Sequence, residues 1–262
     1  MTAGFGQRIL ILVPHPDDEV VACCAAIGRA QAEGATIFAS YLTHGCYDKT
    51  IAWPWNRKTH VLRLRQRHQE ARQVAVKLGI QPLTWSKRAS RQLWSELPQA
   101  LDEILVALEQ LEIDQVWVPA YEGGHPDHDA LNALGSYLSA MLSVLEFAEY
   151  NFMNGAVQSN RFPYPTPETV VLDLTPDEQE LKQACLQIYA SEKRNLRHVP
   201  VLRESYRQLI AYDYRQPPHP GLLWYRRFQW VPLHHPDINR VTAAQVTNAI
   251  LNFQQAAGTL RR

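Results

Sequence analysis

The sequence predicts an α/β fold built on a mostly parallel sheet. Three observations carry that prediction. Short apolar runs rich in β-branched residues alternate with longer segments of helical spacing through the first 150 residues. Glycines stand where helices should stop, at Gly34 and Gly79. The composition, 46% hydrophobic and 20% charged over 262 residues, is that of a globular chain. A chain of this length buries roughly 70–75% of its unfolded surface without disulfides or metal staples. We read one domain over 1–262, with a regular core in 1–150 and a less regular part, 151–262, that completes it.

Arg8–Pro14 is the first strand. Helical spacing follows from Asp18 to Glu33, with Gly34 as its C-cap. Ala35–Thr43 is a second strand, Thr59–Leu78 a helix ending at Gly79, and Leu83–Trp85 a short third strand. Pro98–Leu111 has apolar residues at 101, 104, 105, 108 and 111, a helical stripe. Gln115–Pro119 reads as a strand and Asp129–Leu145 as the next helix. This alternation implies right-handed crossovers and parallel neighbours. Beyond residue 145 the pattern loosens, with strands at Phe147–Asn151 and Thr169–Leu174. Thr175-Pro176-Asp177-Glu178 is a capping box with proline at the first helical position, opening a helix to about Ser191. Asn195–Pro220 holds prolines at 200, 217, 218 and 220, with another nearby at 232, and reads as loop. Trp224–Val231 reads as a strand and Thr242–Gln255 as a closing helix.

Charge and cysteine usage exclude several classes. Lys+Arg and Asp+Glu number 26 each, so a chain-wide cationic footprint for nucleic acid is absent. The apolar run Ile9–Val13 is too short for a signal-peptide core or a membrane span, and charges interrupt the later runs. Cys23, Cys24, Cys46 and Cys185 show no CxxC spacing, so we expect reduced thiols in a cytoplasmic protein. The oligomeric state stays open.

Two motifs carry chemistry. Pro14-His15-Pro16-Asp17-Asp18-Glu19 stands where the first strand gives way to the first helix. His125-Pro126-Asp127-His128, preceded by Tyr121-Glu122-Gly123-Gly124, follows the strand Gln115–Pro119. Ligands of open α/β sheets bind outside the carboxyl ends of strands, where strand order reverses. If these two strands are neighbours, both loops converge on one crevice. Two imidazoles and a carboxylate suit a catalytic divalent metal such as zinc, and iron or manganese accept the same set. Such an ion lowers the pKa of water and polarises a carbonyl. A spare carboxylate then takes a proton, and a spare imidazole stabilises an oxyanion or protonates a leaving amine. The plainer reading makes Asp17 or Asp18 a helix cap and Pro16 a turn former. His235-Pro236-Asp237, a third copy outside the alternating part, shows that the tripeptide also arises by chance.

The pair PHPDDE and HPDH, in this order, resembles the PIG-L/LmbE family of zinc-dependent N-acetylglucosaminyl deacetylases. Arg67-x-x-Glu70 followed by Leu78-Gly79, and Lys182 followed by Tyr189-x-Ser191, are similar to further motifs of that family. The likeness is strong over 8–150 and thin afterwards. It implies a Rossmann-like three-layer α/β/α fold and one Zn²⁺ per chain, with Fe²⁺ or another divalent ion as alternatives. Carried over by residue, it implies His15, Asp18 and His128 as metal ligands and Asp17 as general base. It further implies that His125 stabilises the tetrahedral intermediate, that Asp127 orients His125, and that Glu19 supports the ligands from behind. The implied substrate is an N-acetylglucosamine-containing small conjugate or lipid-linked glycan. Pro14 stands where the family often has alanine.

Other candidates are weaker. Residues 57–72 hold Arg57, Lys58, Arg63, Arg65, Arg67 and Arg72 against the single acid Glu70. This is either a solvated helix face or, at Arg67, an anchor for an anionic part of the substrate. The tryptophans of Trp53-Pro54-Trp55-Asn56 either pack on the core or stack on a sugar or lipid. His44 follows the second strand and sits near the crevice in sequence order, while Cys46 has no base placed to activate it. A two-metal phosphoesterase needs more carboxylates than the motifs supply. A non-catalytic sugar-binding homologue has no use for Asp17. The loops 46–60 and 195–220 are where acceptor specificity should lie.

Overall fold

The strands run β1 Arg8–Val13, β2 Thr36–Tyr41, β3 Gln81–Trp85, β4 Gln115–Pro119, β5 Ser143–Phe147, β6 Tyr150–Asn151, β7 Gln158–Ser159, β8 Val170–Asp173 and β9 Arg203–Gln208. The helices are α1 Asp18–Ala32, α2 His60–Leu78, α3 Leu97–Gln110, α4 Pro126–Leu138, α5 Pro176–Ile188 and α6 Ala243–Leu260. This computed structural model describes residues 4–51, 57–225 and 241–260. The Trp53–Asn56 segment, the third His-Pro-Asp copy and all but two residues of the expected strand Trp224–Val231 lie outside the described residues. Trp224 and Tyr225 themselves form a turn.

Seven strands form one sheet in the order β3-β2-β1-β4-β5-β9-β8. β1 pairs in parallel with both β2 and β4, β2 with β3, and β4 with β5. β9 and β8 add an antiparallel edge. Along β1 the side chains alternate between two faces. Ile9, Ile11 and Val13 pack with α1, α2 and α5. Leu10 and Leu12 pack with α3, α4 and α6. The result is three layers, α/β/α, with every side chain from Ile9 to Val13 buried, as expected for a parallel strand covered on both faces.

Most elements fall where the sequence places them; among the exceptions, the strand expected over Phe147–Asn151 is split between the end of β5 and the two-residue β6. The helix expected over Asp129–Leu145 begins earlier, at Pro126, and stops at Leu138, and Ser143–Phe147 is a central strand. Val144, Leu145, Glu146 and Phe147 are all buried, so the strand shows no period-two alternation to separate it from a helix. The stretch read as loop from Asn195 contains β9, Arg-Glu-Ser-Tyr-Arg-Gln. Two of its three charges face inward: Glu204 pairs with Lys182 at 2.9 Å and Arg207 with Glu146 at 2.6 Å, all four fully or almost fully buried. Gly79 caps α2 in the left-handed region (φ 64°), and the Thr175–Glu178 capping box is formed on both sides.

α1 is broken at Cys23 (φ −144°, ψ 25°). The groups freed by the break are not left unpaired. Glu204 accepts the backbone N–H groups of Ala25 and Ala26 at 3.0 Å. Lys182 Nζ and Asn160 Nδ2 donate to the Val21 carbonyl at 3.0 and 2.7 Å. A buried ion pair therefore replaces one turn of helix. All four cysteines are free and buried, and no helix among the described residues is long and apolar enough to cross a membrane.

Candidate active site

Strand order reverses between β1 and β4, and the loops that follow these two strands carry the two motifs. Three side-chain atoms converge there. His15 Nδ1 lies 3.0 Å from Asp18 Oδ2 and 3.1 Å from His128 Nε2, and the last two are also 3.1 Å apart. Atoms bound to one ion at about 2.0–2.2 Å stand roughly 3–3.5 Å from each other. The triangle thus fits a single divalent cation. The outer ring nitrogens face acids: His15 Nε2 is within hydrogen-bond reach of Asp127 Oδ2 at 3.1 Å, and His128 Nδ1 is 3.3 Å from Glu149 Oε2 without hydrogen-bond geometry. A carboxylate hydrogen-bonded behind a ligand imidazole, as Asp127 is to His15, fixes the proton on the outer nitrogen and aims the inner lone pair at the shared point. Burial opposes charge on His15, but Asp127 and Asp18 push its pKa up to about 9. Burial alone would raise Asp18, yet His128 and His15 hold it well below the usual carboxylate range. Among the described residues two groups could hold an ion, His15 with His125 and His128, and Asp18 with His128 and Glu149; they share His128, so they form one centre rather than two.

Asp17 does not cap α1: its side chain makes no cap hydrogen bond, and its backbone sits at φ 134°, in a region L-residues avoid. Glu19 accepts the Asp17 backbone N–H at 3.1 Å and is itself held by Tyr189 and Tyr41. Burial pushes Glu19 up to about 7. The Asp17 carboxylate is buried, which raises its pKa, against the pull of Arg67, whose Nη1 is 3.5 Å away. His125 is the N-cap of α4, and its Nδ1 accepts the Asp127 N–H at 3.2 Å. A neutral ring must then carry its proton on Nε2. The Asp127 carboxylate is 3.8 Å from His125 Nδ1, beyond hydrogen-bond reach; it faces His15 Nε2 and accepts the Arg91 and Leu93 N–H groups, so only the Asp127 backbone N–H bonds the His125 ring.

Residues 10–139 match the family model described as PIG-L: GlcNAc-PI de-N-acetylase. This part of the chain belongs to the PIG-L family. A deacetylase of the teicoplanin biosynthesis pathway superposes with a TM-score of 0.61 at 17% identity, covering 79% of this chain and 99% of that one. A zinc-inhibited form of teicoplanin deacetylase gives 0.57 at 16% with the same coverage. N,N'-diacetylchitobiose deacetylase from Pyrococcus horikoshii gives 0.53 at 17%, covering 87% of both chains. No curated protein matches the chain by sequence. At these identities the structural matches establish the fold.

The part of the chain after the PIG-L match fastens the site from outside. Tyr189 donates to Glu19, Ser191 donates through N and Oγ to Glu70, and Lys182 serves the break in α1. Arg67 is 2% exposed, and its Nη1 lies between Asp17 (3.5 Å) and Glu192 (3.4 Å), so protein carboxylates already take up its charge. His44 accepts the Cys46 N–H and packs edge to face with His60, and burial with His60 pulls its pKa to about 4. Burial raises the Cys46 thiol. A cavity of about 240 Å³ opens from the centre, lined at its polar end by His15, Asp17, Asp18, His125, Arg67 and Glu192. Sequence reasoning missed Glu149 and Glu192. Glu149 follows the carboxyl end of β5, adjacent to β4, and a correct assignment of that strand would have brought it into view.

Proposed function

We propose that the protein is a metal-dependent deacetylase that removes the acetyl group from an N-acetyl amino sugar carried on a small conjugate or a lipid-linked glycan. The observation that carries the reading is the triangle of His15, Asp18 and His128 beside an uncapped, buried Asp17 and a His125 with its proton on Nε2. The PIG-L match over residues 10–139 supports it. His15, Asp18 and His128 would hold the ion, which we take to be zinc, although their N,N,O donor set also accepts Fe²⁺ or Mn²⁺. When bound, such an ion acidifies water and polarises the acetyl carbonyl.

The chain's own groups perform the rest. Asp17 accepts the proton of the water that adds to the acetyl carbon. His125 Nε2–H donates to the carbonyl oxygen as it turns negative. The C–N bond then breaks, the amine takes a proton from this acid–base pair, and acetate and the free amino sugar leave. Asp127 and Glu149 keep the two ligand imidazoles oriented throughout. Arg67 holds the Asp17 carboxylate in place. The test is acetate release from a panel of N-acetylglucosamine conjugates while zinc is titrated from substoichiometric to excess. One metal per chain and metal-dependent acetate are expected, with both lost in His128→Ala. Metal-independent turnover, or release of phosphate from phosphoesters instead, would overturn the reading.

A further inference from the structure

The cavity has a second end that the reaction does not use. Tyr150, Phe152, Val157, Leu196, Val199 and Trp224 line it, with the His198 ring edge to face on Tyr150 at 5.5 Å. Their aromatic rings form a connected series that starts beside His128. His128 and Tyr150 are 5.7 Å apart edge to face, Tyr150 and Phe152 are 6.5 Å apart, and Phe152 stacks on Trp224 at 4.6 Å and 21°. The wall is built rather than accidental. Trp224 N–H donates to the Gly123 carbonyl at 2.8 Å, which ties it to the loop that precedes His125. A Cβ on Gly221 would stand 2.3 Å from the Met153 carbonyl oxygen, so the two loops touch through backbone. Yet the apolar surface is only partly covered: Val157 is 39% exposed, and Phe152, Trp224, Leu196 and Val199 are half-buried. Partly covered apolar side chains inside a polar cavity mark a place where ligand surface is expected.

Charge narrows the ligand. Arg67, the buried cation of the cavity, faces Asp17 and Glu192, and both acids line the same space. Arg194 is the other lining cation and is exposed. A pyrophosphate or phosphodiester would meet two carboxylates beside one committed guanidinium, with the exposed Arg194 alone left to face its charge. An uncharged apolar group meets the rings of Phe152 and Trp224.

We propose that this end is an aglycone subsite, so the substrate is an N-acetyl amino sugar bearing an uncharged apolar group, aryl or alkyl, and not a nucleotide- or phosphate-linked sugar. The proposal rests on the deacetylase reading above and deepens it. Deacetylation of free N-acetylglucosamine, its 4-nitrophenyl glycoside, its octyl glycoside and its uridine diphosphate conjugate is compared by amine release. The aryl or alkyl glycoside should exceed the free sugar by about tenfold or more in kcat/KM, and the nucleotide sugar should fall below both. In Phe152→Ala and Trp224→Ala the ratio of glycoside to free sugar should collapse toward one, and Trp224→Phe should restore part of it. The aryl and alkyl arms decide whether stacking or simple apolar cover dominates. Binding of the same octyl and 4-nitrophenyl glycosides is measured by calorimetry on the full chain. Tighter binding of glycosides than of free sugar, lost in Trp224→Ala, with no deacetylation of anything, would keep the subsite and refute the reaction. Glycosides and free sugar within twofold in both assays, or preference for the nucleotide sugar, would refute the subsite whatever the reaction.

Discussion

Lys182→Met tests the break in α1 directly. Methionine keeps most of the lysine volume, so the change removes charge and hydrogen bonds without opening a large cavity. In the native chain Lys182 and Glu204 are both 0% exposed and 2.9 Å apart. Without the ammonium, the Glu204 carboxylate stays buried with only the Ala25 and Ala26 N–H groups to stabilise it. The Val21 carbonyl keeps Asn160. Removing one partner of a buried pair costs about 3–5 kcal/mol, because the remaining charge is uncompensated. For a chain of this size each kcal/mol lowers Tm by roughly 2–4 °C, giving an expected drop of about 6–20 °C. The double variant Lys182→Met/Glu204→Gln removes both charges while leaving an acceptor for Ala25 and Ala26, and should recover more than half of that loss. Urea denaturation followed by circular dichroism measures both, and a double-mutant cycle yields the coupling. A single variant within about 1 kcal/mol of wild type, or a double variant no better than the single, would show that the pair does not hold the helix.

Other outcomes follow from the site. Asp17→Asn should lower kcat by about 10²–10⁴-fold, the usual range for a general base, with metal content near wild type; wild-type turnover would remove Asp17 from the mechanism. Arg67→Ala should lower kcat more than it raises KM, because Arg67 contacts Asp17 and Glu192, whereas a rise in KM alone would restore the anion-anchor expectation. Burial pushes Glu122 up to about 8, so the folded chain binds that proton more tightly than the unfolded chain, and its ionisation costs stability as pH rises from about 5 through 8. Glu122→Gln removes this titration, so the Tm advantage of the variant over wild type should grow across that window, and a constant difference would assign the group another charge state.

The parallel half of the sheet was legible because its strands are apolar and end at motif loops. Ser143–Phe147 was not, since burial on both faces erases the alternation that marks a strand. Arg203–Gln208 was hidden for the opposite reason. Glu204 and Arg207 read as solvent-facing, and only their distant partners Lys182 and Glu146 make them core residues. The same limit applies to the site. His15, Asp17, Asp18, His125 and His128 announce themselves in two short motifs. Glu149 and Glu192 do not, because their role is made across the crevice rather than along the chain. Asp127 illustrates the distinction: the family resemblance implied His125 as its partner, and the fold brings its carboxylate to His15 from the opposite loop.

The backbone at Asp17, at φ 134°, has an evolutionary consequence. An L-residue held there stores about 1–3 kcal/mol of strain, relieved in full only by glycine. Position 17 therefore inverts the ordinary ranking of small residues: glycine should fold more firmly than alanine, and a drift toward thermal robustness at this site would erase the carboxylate. With Asp17 as the base proposed above, selection for heat resistance alone would tend to produce a sturdier, silent protein, and a campaign to stabilise this chain has to hold residue 17 fixed while it searches elsewhere.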